Sequence, residues 1–406
     1  MFELRKWCIG AALLIMPATS KADPVLDWNE QAVAAVLAAK QLPPDGARSM
    51  AMVHVAMFNA INAVARRYAP YGFEVRAPAH ASADAAAASA ARTVLEKLFP
   101  DRREGLEHAF AAALKQIVGQ RGIDAGIALG EQAANDCLAM RANDGVGAAN
   151  RYRPATTPGV YVPTTLPVSH EWREVKPWLM KRPSQFRPQP PPALTSATWA
   201  RDYNEIKQLG AKNSDKRTPE QTEVARFWTA VGVATWNPIV RSLAAARPRS
   251  LVDNARLFAL VNMAAADAYV AVFDGKYTFN FWRPITAIRN GDLDGNDATD
   301  ADSGWLPFVD TPMHPEYPCA HCITASAVAT VLESEFGSGK LSTIAMTSST
   351  APGVTHRWER LSEYVKEVGN ARVWGGIHYR SSTEVGERMG KEIGRLAVTA
   401  AMRPAH

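Results

Sequence analysis

The chain predicts a mainly α fold, with two four-helix-bundle-like halves joined by a long proline-rich excursion. Three observations carry that expectation. Apolar residues recur every three or four positions over most of the length, strand-type alternation is almost missing from residues 29–143, and ten of the 27 prolines crowd between Pro154 and Pro192. Packed bundles are the economical way to bury such helical faces. At 406 residues, 47% hydrophobic and 21% charged, the chain has apolar content for a sizeable core, which excludes wholesale disorder.

Residues 1–22 read as a cleaved secretory signal. Arg5 and Lys6 precede the apolar run Cys8–Met16, Pro17 ends it, and Ser20-Lys21-Ala22 offers small residues where a signal peptidase cuts. The run is too short to span a bilayer, so a secreted or periplasmic protein is expected. Its removal takes three cations and one carboxylate, moving the net charge from +5 to +3. So small a surplus, without a basic block, argues against a nucleic-acid partner. The longest later apolar stretch, Leu251–Phe273, is interrupted by Asp253, Arg256, Asn262 and Asp267, so no stable membrane span is expected. Nothing in the sequence addresses oligomeric state.

Residues 23–150 form an N-terminal helical region, with Ala32, Val36, Leu37 and then Met50, Val53, Met57, Ile61, Val64 at helical spacing. The alanine-rich stretch Ala81–Arg92 favours helix as well. The proline-rich segment 151–195 cannot be regular helix and reads as a surface excursion of polyproline character. Helical periodicity returns near Thr198 and fills residues 196–406, apart from breaks at Gly291–Pro318 and Gly337–Val354. Once Cys8 is removed, Cys137, Cys319 and Cys322 remain. Three cysteines make no disulfide scaffold, and one bridge with one free thiol is expected.

Polar chemistry concentrates in three clusters. The first is Lys276-Tyr-Thr-Phe-Asn-Phe-Trp-Arg283-Pro284. Seven residues are almost two helical turns, so Lys276 and Arg283 are expected on one face, gripping one anion as a point charge and a planar fork. The second is His314-Pro-Glu-Tyr-Pro318-Cys319-Ala320-His321-Cys322, followed by an apolar helical run. Cys319–His321 should therefore open a helix, where free amides and the dipole favour an anion and His321 is available as an acid or base. The third is Arg372-Val-Trp-Gly375-Gly376-Ile-His378, whose paired glycines permit close backbone approach to a ligand. Taken singly, each cluster also reads as solvated charge, packed histidine or, for Cys319-x-x-Cys322, a dithiol.

Jointly, Lys-x6-Arg-Pro, Pro-x-x-His and Arg-x3-Gly-x-His, in this order on a helical scaffold, resemble the vanadium haloperoxidase and type-2 phosphatidic acid phosphatase superfamily. The motifs span Lys276 to His378. The resemblance implies a tetrahedral oxyanion site holding vanadate in a peroxidase or a phosphoryl group in a phosphatase. By position, it places Lys276, Arg283, Arg372 and the Ala320 amide on the oxyanion oxygens. His378 becomes the vanadium ligand or the phosphoryl-accepting nucleophile, and His321 the acid–base residue. His314 stands where the bromoperoxidase branch carries histidine, implying bromide or iodide rather than chloride. Vanadium would act as a Lewis acid toward hydrogen peroxide, without redox change at the metal.

Three departures stand out. Pro318-Cys319-Ala320-His321 replaces Pro-Ser-Gly-His, so a weakly donating sulfur stands at Cys319 for a hydroxyl. Ser382 stands where the phosphatases carry aspartate, leaving Asp267 or Asp274 as expected partners of His378. A free Cys319 thiol near a helix N-terminus would ionise and be oxidised by peroxide, so a Cys319–Cys322 bridge is expected. The favoured function is a vanadate-dependent haloperoxidase-like oxidation of halide. A phosphatase with a phospho-histidine intermediate is the alternative, followed by a non-enzymatic anion binder and a dithiol oxidoreductase. The acidic stretch Asp292–Asp302 misses the EF-hand pattern and reads as a solvated loop over the site mouth. Phe279, Phe281, Trp282, Trp305 and Trp374 read as core or pocket wall.

Overall fold

The computed structural model describes residues 23–117, 119, 121–341 and 344–405; the signal read in residues 1–22 lies outside them. Among the described residues the α-helices run in order as α1 (Pro24–Ala38), α2 (Pro43–Ala65), α3 (Ala83–Leu98), α4 (Arg103–Gln116), α5 (Ile123–Met140), α6 (Ala197–Leu209), α7 (Pro219–Phe227), α8 (Asn237–Ala245), α9 (Leu251–Phe279), α10 (Pro284–Arg289), α11 (Ala320–Phe336), α12 (Leu361–Trp374) and α13 (Arg380–Ala400). Strands β1 (Ile344–Ser348) and β2 (Ala351–Trp358) pair antiparallel, Ile344 opposite Trp358 and Thr347 opposite Thr355.

Local chemistry explains the helix starts. Asp23, Ser82, Ser196, Thr218 and Ser250 cap α1, α3, α6, α7 and α9 by accepting first-turn amides. Proline occupies the first turn of α1, α2, α7, α8 and α10, where its missing N–H leaves nothing unsatisfied.

Helix α9, 29 residues long and buried almost throughout, organises the molecule. It packs against α2 on the N-terminal side and against α11 and α13 on the C-terminal side. In the first group α2, α3 and α5 pack together; in the second, α11, α12 and α13 do. The α11–α13 contact is unusually close: a Cβ at Gly390 would sit 2.3 Å from the Ile323 carbonyl, so glycine sets that spacing.

The proline-rich segment is irregular, as its composition predicts, with 3-10 turns at His170–Glu174 and Pro183–Phe186. It is anchored rather than loose. Trp172, Val175 and Trp178 are buried, and the Asp267 carboxylate of α9 accepts the amides of Trp178 (2.6 Å), Leu179 (2.7 Å) and Met180 (2.8 Å). One carboxylate thus satisfies three backbone donors that prolines keep out of a helix. The β-hairpin occupies the break read at Gly337–Val354. It is tied to α7 through the Ser348 hydroxyl, which donates to the Phe227 carbonyl (2.7 Å), and to α12 through Glu367, which accepts Trp358 Nε1 (2.9 Å).

Candidate active site

Lys276 sits in the last turn of α9, which Asn280 ends in the left-handed region at φ 49°. Arg283 therefore does not share a helical face with Lys276, contrary to the seven-residue spacing. It is the N-cap of α10, in an extended stretch where the Trp282 amide donates to the Gly159 carbonyl (3.0 Å). The two cations converge by another route. Lys276 Nζ donates to the carbonyls of Pro315 (2.9 Å) and Glu316 (2.7 Å), and Arg283 Nε donates to that of His314 (2.9 Å). Both clamp the segment His314–Glu316.

That segment leads through a cis Tyr317–Pro318 bond into α11. Cys319 is the N-cap and accepts the Cys322 amide on sulfur (3.2 Å). Cys319 and Cys322 are joined in a disulfide, with 5.4 Å between their α-carbons, and Cys137 is free and buried. Ala320 opens the helix, so its amide has no intrahelical acceptor. The Nε2 of His321 lies 3.2 Å from the Ala230 carbonyl, which makes that nitrogen the protonated one.

Arg372 lies in the last turn of α12 and gives one Nη1 hydrogen to the Trp228 carbonyl; its buried Nε has no partner. Gly375 and Gly376 then reverse the chain. Gly376 has φ +79°, and a Cβ there would sit 2.3 Å from the Gly210 carbonyl. The close approach expected of these glycines is to the end of α6, not to a ligand. It delivers His378, whose Nδ1 lies 2.7 Å from Glu316 Oε1 and whose Nε2 lies 3.4 Å from Arg283 Nη1. Arg283 Nη2 reaches His314 Nδ1 at 3.0 Å.

Glu316 was missed in the sequence. Asp267 serves the Trp178–Met180 amides, and Asp274 pairs bidentately with Arg187 (2.7 and 2.6 Å), so neither expected partner touches His378. The carboxylate comes instead from the segment just before the Pro-x-x-His motif, beside the Ser382 hydroxyl. The available signal was a lone acid set among residues destined for burial between His314 and Pro318. By accepting Nδ1–H, Glu316 fixes the tautomer of His378 and leaves Nε2 unprotonated, its lone pair met by Arg283 Nη1 at 3.4 Å where a ligand would compete for it.

Burial and charge decide what the site can hold. Lys276, Arg283, Arg372, Glu316 and His378 are all at most 3% exposed. Glu316 acts on Lys276 and Arg283, while Arg372 is acted on by the neighbouring Arg283 rather than by a carboxylate. Burial lowers Lys276 well below its usual range, Arg283 to about 10 and Arg372 to about 9, while it raises Glu316 to about 7. His314, His321 and His378 are held well below 6.5 by burial and the neighbouring cations, so all three are neutral.

A cavity of about 270 Å³ opens onto His314, Ala320, His321, Arg372 and His378. Lys276, Arg283 and Cys319 are not among its lining residues, and Arg283 reaches it through His314 and His378. The donor set fits a tetrahedral oxyanion. Arg372 is a buried cation without a carboxylate partner among the described residues, its orphaned Nε and the Ala320 amide are unused donors, and His378 Nε2, approached only by Arg283 Nη1 at 3.4 Å, carries a lone pair. No group of three or more His, Cys, Asp or Glu among the described residues is placed to hold a bare metal cation.

One sequence expectation moves and one holds. The acidic stretch does not cover the mouth: Asp294 is buried, accepting Trp199 Nε1 (2.7 Å), and Asp300 pairs with Lys207 (2.7 Å), so the loop is docked on α6. Phe281, Trp282 and Trp305 are core, with Trp199 stacked on Trp282 at 5.8 Å, and the pocket aromatics are Tyr269 and Phe273.

Residues 256–406 match the family described as the VCPO second helical-bundle domain. A curated relative, vanadium chloroperoxidase of Curvularia inaequalis, is 31% identical over 174 residues, which cover 35% of this chain and only 28% of the relative. Among solved structures, one titled the first bacterial vanadium-dependent iodoperoxidase aligns with a TM-score of 0.80 at 22% identity, covering 94% of this chain and 97% of its own. The holo form of a bacterial vanadium-dependent chloroperoxidase aligns at 0.69 and 19% identity, covering 88% and 92%. With its three motif segments assembled around one buried cationic pocket, the chain has the fold of these vanadium-dependent haloperoxidases, and its residues 256–406 match their second helical-bundle domain.

Proposed function

We propose that the chain is an exported, vanadate-dependent haloperoxidase-like enzyme that oxidises bromide or iodide with hydrogen peroxide. One observation carries the reading: a cavity lined by His314, His321 and His378 also holds the buried Arg372, whose Nε has no partner, while the buried Lys276 and Arg283 clamp the adjoining His314–Glu316 segment. Buried charge left uncompensated is costly, and a multiply charged oxyanion restores the balance. When bound, vanadate supplies a Lewis acid toward peroxide.

The chain's own groups do the rest. His378 offers Nε2 as the ligand, oriented by Glu316 on Nδ1. Arg372 Nε and the Ala320 amide donate to oxyanion oxygens, and Lys276 and Arg283 supply charge while fixing the His314–Glu316 segment. His321, neutral with its Nε2–H given to Ala230, keeps Nδ1 free to take and return a proton. His314, held by Arg283 on the cavity wall, supports the choice of the larger halides.

Phosphoryl transfer is the second reading, because a carboxylate-oriented His378 also suits attack on phosphorus. The disulfide favours the peroxidase: it leaves no thiol at Cys319 to ionise at the helix N-terminus and be oxidised by peroxide.

The deciding experiment pairs two assays on mature protein, with His378→Ala as control. Vanadate-dependent bromide or iodide oxidation lost in His378→Ala is the expected result. Ester hydrolysis inhibited by vanadate, without halide oxidation, would replace the reading with the phosphatase.

A further inference from the structure

The segment that follows α7 brings two carbonyls to the site. Trp228, the C-cap of α7, accepts Nη1 of Arg372, and Ala230 accepts Nε2–H of His321. Thr229 between them lines the cavity. These three residues therefore hold both the buried cation of the cavity and its acid–base histidine. Arg372 depends on them closely. It has no carboxylate partner among the described residues, and its guanidinium is a rigid planar fork, so fixing Nη1 limits where the unpartnered Nε is aimed.

The hold on this segment comes from outside the cavity. The buried indole of Trp228 donates from Nε1 to Glu367 Oε1 at 2.8 Å. Glu367 lies on α12, five residues before Arg372. Trp228 thus grips that helix twice, by its ring at Glu367 and by its carbonyl at Arg372. The carboxylate is in turn pinned by β2. His356 Nδ1 lies 2.6 Å from Oε1, and Trp358 Nε1 donates to Oε2 at 2.9 Å. The His356 ring stacks on Phe227 with centroids 3.9 Å apart, and its Nε2 lies 3.6 Å from Glu223.

Burial draws His356 down, but the hydrogen bond and charge of Glu367, with Glu223, outweigh it and raise the imidazole above 6.5. Burial likewise pushes Glu367 up, yet its donors His356, Trp228 and Trp358 bring it below its ordinary value, so it stays ionised. An ionised acceptor gives shorter and stronger hydrogen bonds than a neutral one, which suits an anchor.

We propose that Glu367 and the Trp228 indole are positioning residues for the oxyanion site, aiming Arg372 through the Trp228 carbonyl although neither lines the cavity. The β-hairpin is then a buttress of the site, since it supplies two of the three donors that fix Glu367. The proposal rests on the reading of Arg372 as an oxyanion donor, which the peroxidase and the phosphatase share.

Orthovanadate affinity tests it, read by vanadium NMR titration of the full mature chain beside a denaturation curve for each variant. Trp228→Phe removes the Nε1 donor and keeps the carbonyl, and Glu367→Gln removes the charge that receives it. Each is expected to weaken binding about tenfold, as loss of an orienting partner commonly does. Trp358→Phe controls for packing: it removes an indole from the other oxygen of the same carboxylate, so stability should fall while affinity keeps its wild-type value. In an Arg372→Ala background Trp228→Phe should cost no further affinity, because the group it aims is gone.

Equal losses in Trp358→Phe and Trp228→Phe would overturn the proposal, since any damage to the hairpin would then reach the site. So would a fully additive loss in the Arg372→Ala background, or wild-type affinity in Trp228→Phe and Glu367→Gln. Should one of these two fail to fold, the other decides. Failure of the underlying reading looks different: wild type binds no orthovanadate, or Arg372→Ala binds it as tightly as wild type, and the positioning role falls with it.

Discussion

At the scale of single residues, the most consequential contact is 2.7 Å long and joins His378 Nδ1 to Glu316. A ligand histidine whose far nitrogen gives its proton to a carboxylate is both oriented and made more basic, and loss of such a partner typically costs 10–100-fold in affinity or activity. Glu316→Gln is therefore expected to weaken vanadate binding by about that factor, read by vanadium NMR titration independently of turnover. An unchanged dissociation constant would show that the carboxylate is only structural. Cys319 permits a second expectation. Its sulfur caps α11 as a serine hydroxyl would, so Cys319→Ser combined with Cys322→Ala should retain oxyanion binding, whereas the native protein should run 2 Da lighter than its reduced form in an intact-mass measurement.

At the scale of elements, the turn after α12 carries the tightest constraint. Gly376 combines a positive φ with backbone contact to Gly210, so Gly376→Ala should destabilise the fold by roughly 1–3 kcal/mol or more and displace His378. Chemical denaturation together with vanadate affinity reads both effects; loss of stability without loss of affinity would detach the turn from the site. A second element-level device ties α1, α2 and α8. His54 is fully buried, its Nε2 accepts from Asn29 Nδ2 (2.8 Å), and Asn29 also bonds Asn237 (2.8 Å). Burial, with Arg241 nearby, holds His54 at about 3 against 6.5 in the unfolded chain. Between those values only the unfolded state takes up the proton, so stability falls as pH drops from about 6.5 toward 3, by about 1.4 kcal/mol per pH unit for this residue. His54→Gln should flatten the pH dependence of unfolding over that window, and an unchanged slope would place the acid sensitivity elsewhere.

The same scale shows what the sequence could convey. Helical periodicity and the three motif segments were legible because a period of 3.6 and short fixed spacings are local properties. The break at Asn280 was not, since an isolated asparagine in a helical pattern gives no sign that it will adopt φ 49°. Nor could spacing show that Asp267 would be spent on the Trp178–Met180 amides, leaving Glu316, 62 residues before His378, as its partner. The β-hairpin was hidden in a segment legible only as a break, because its eight-residue second strand alternates too irregularly to stand out.

At the scale of the whole molecule, the cavity is assembled from distant parts. Leu42–Pro44 from the start of α2, Val168 and Ser169 from the proline-rich segment, and Thr229 and Val231 after α7 close walls whose floor lies between His314 and His378. Residues 256–406 alone thus carry the reactive groups without the enclosure, and enclosure is what keeps water from screening the three cations. A chain lacking residues before Leu251 should bind vanadate more weakly than the full chain, with a steeper dependence on ionic strength. Equal affinity and salt response would show that the floor is sufficient.

Helix α9 gives that separation a further consequence. By length and apolar content it qualifies to cross a bilayer, and in the intact fold that entire stretch is buried. What keeps it inside the protein is the partnership with α2 on one side and α11 and α13 on the other. Strip α2 away, and the strand of chemistry that ends in Lys276 becomes a lipid-seeking surface. The N-terminal bundle thus keeps covered a helix that, by length and composition alone, a bilayer would accept.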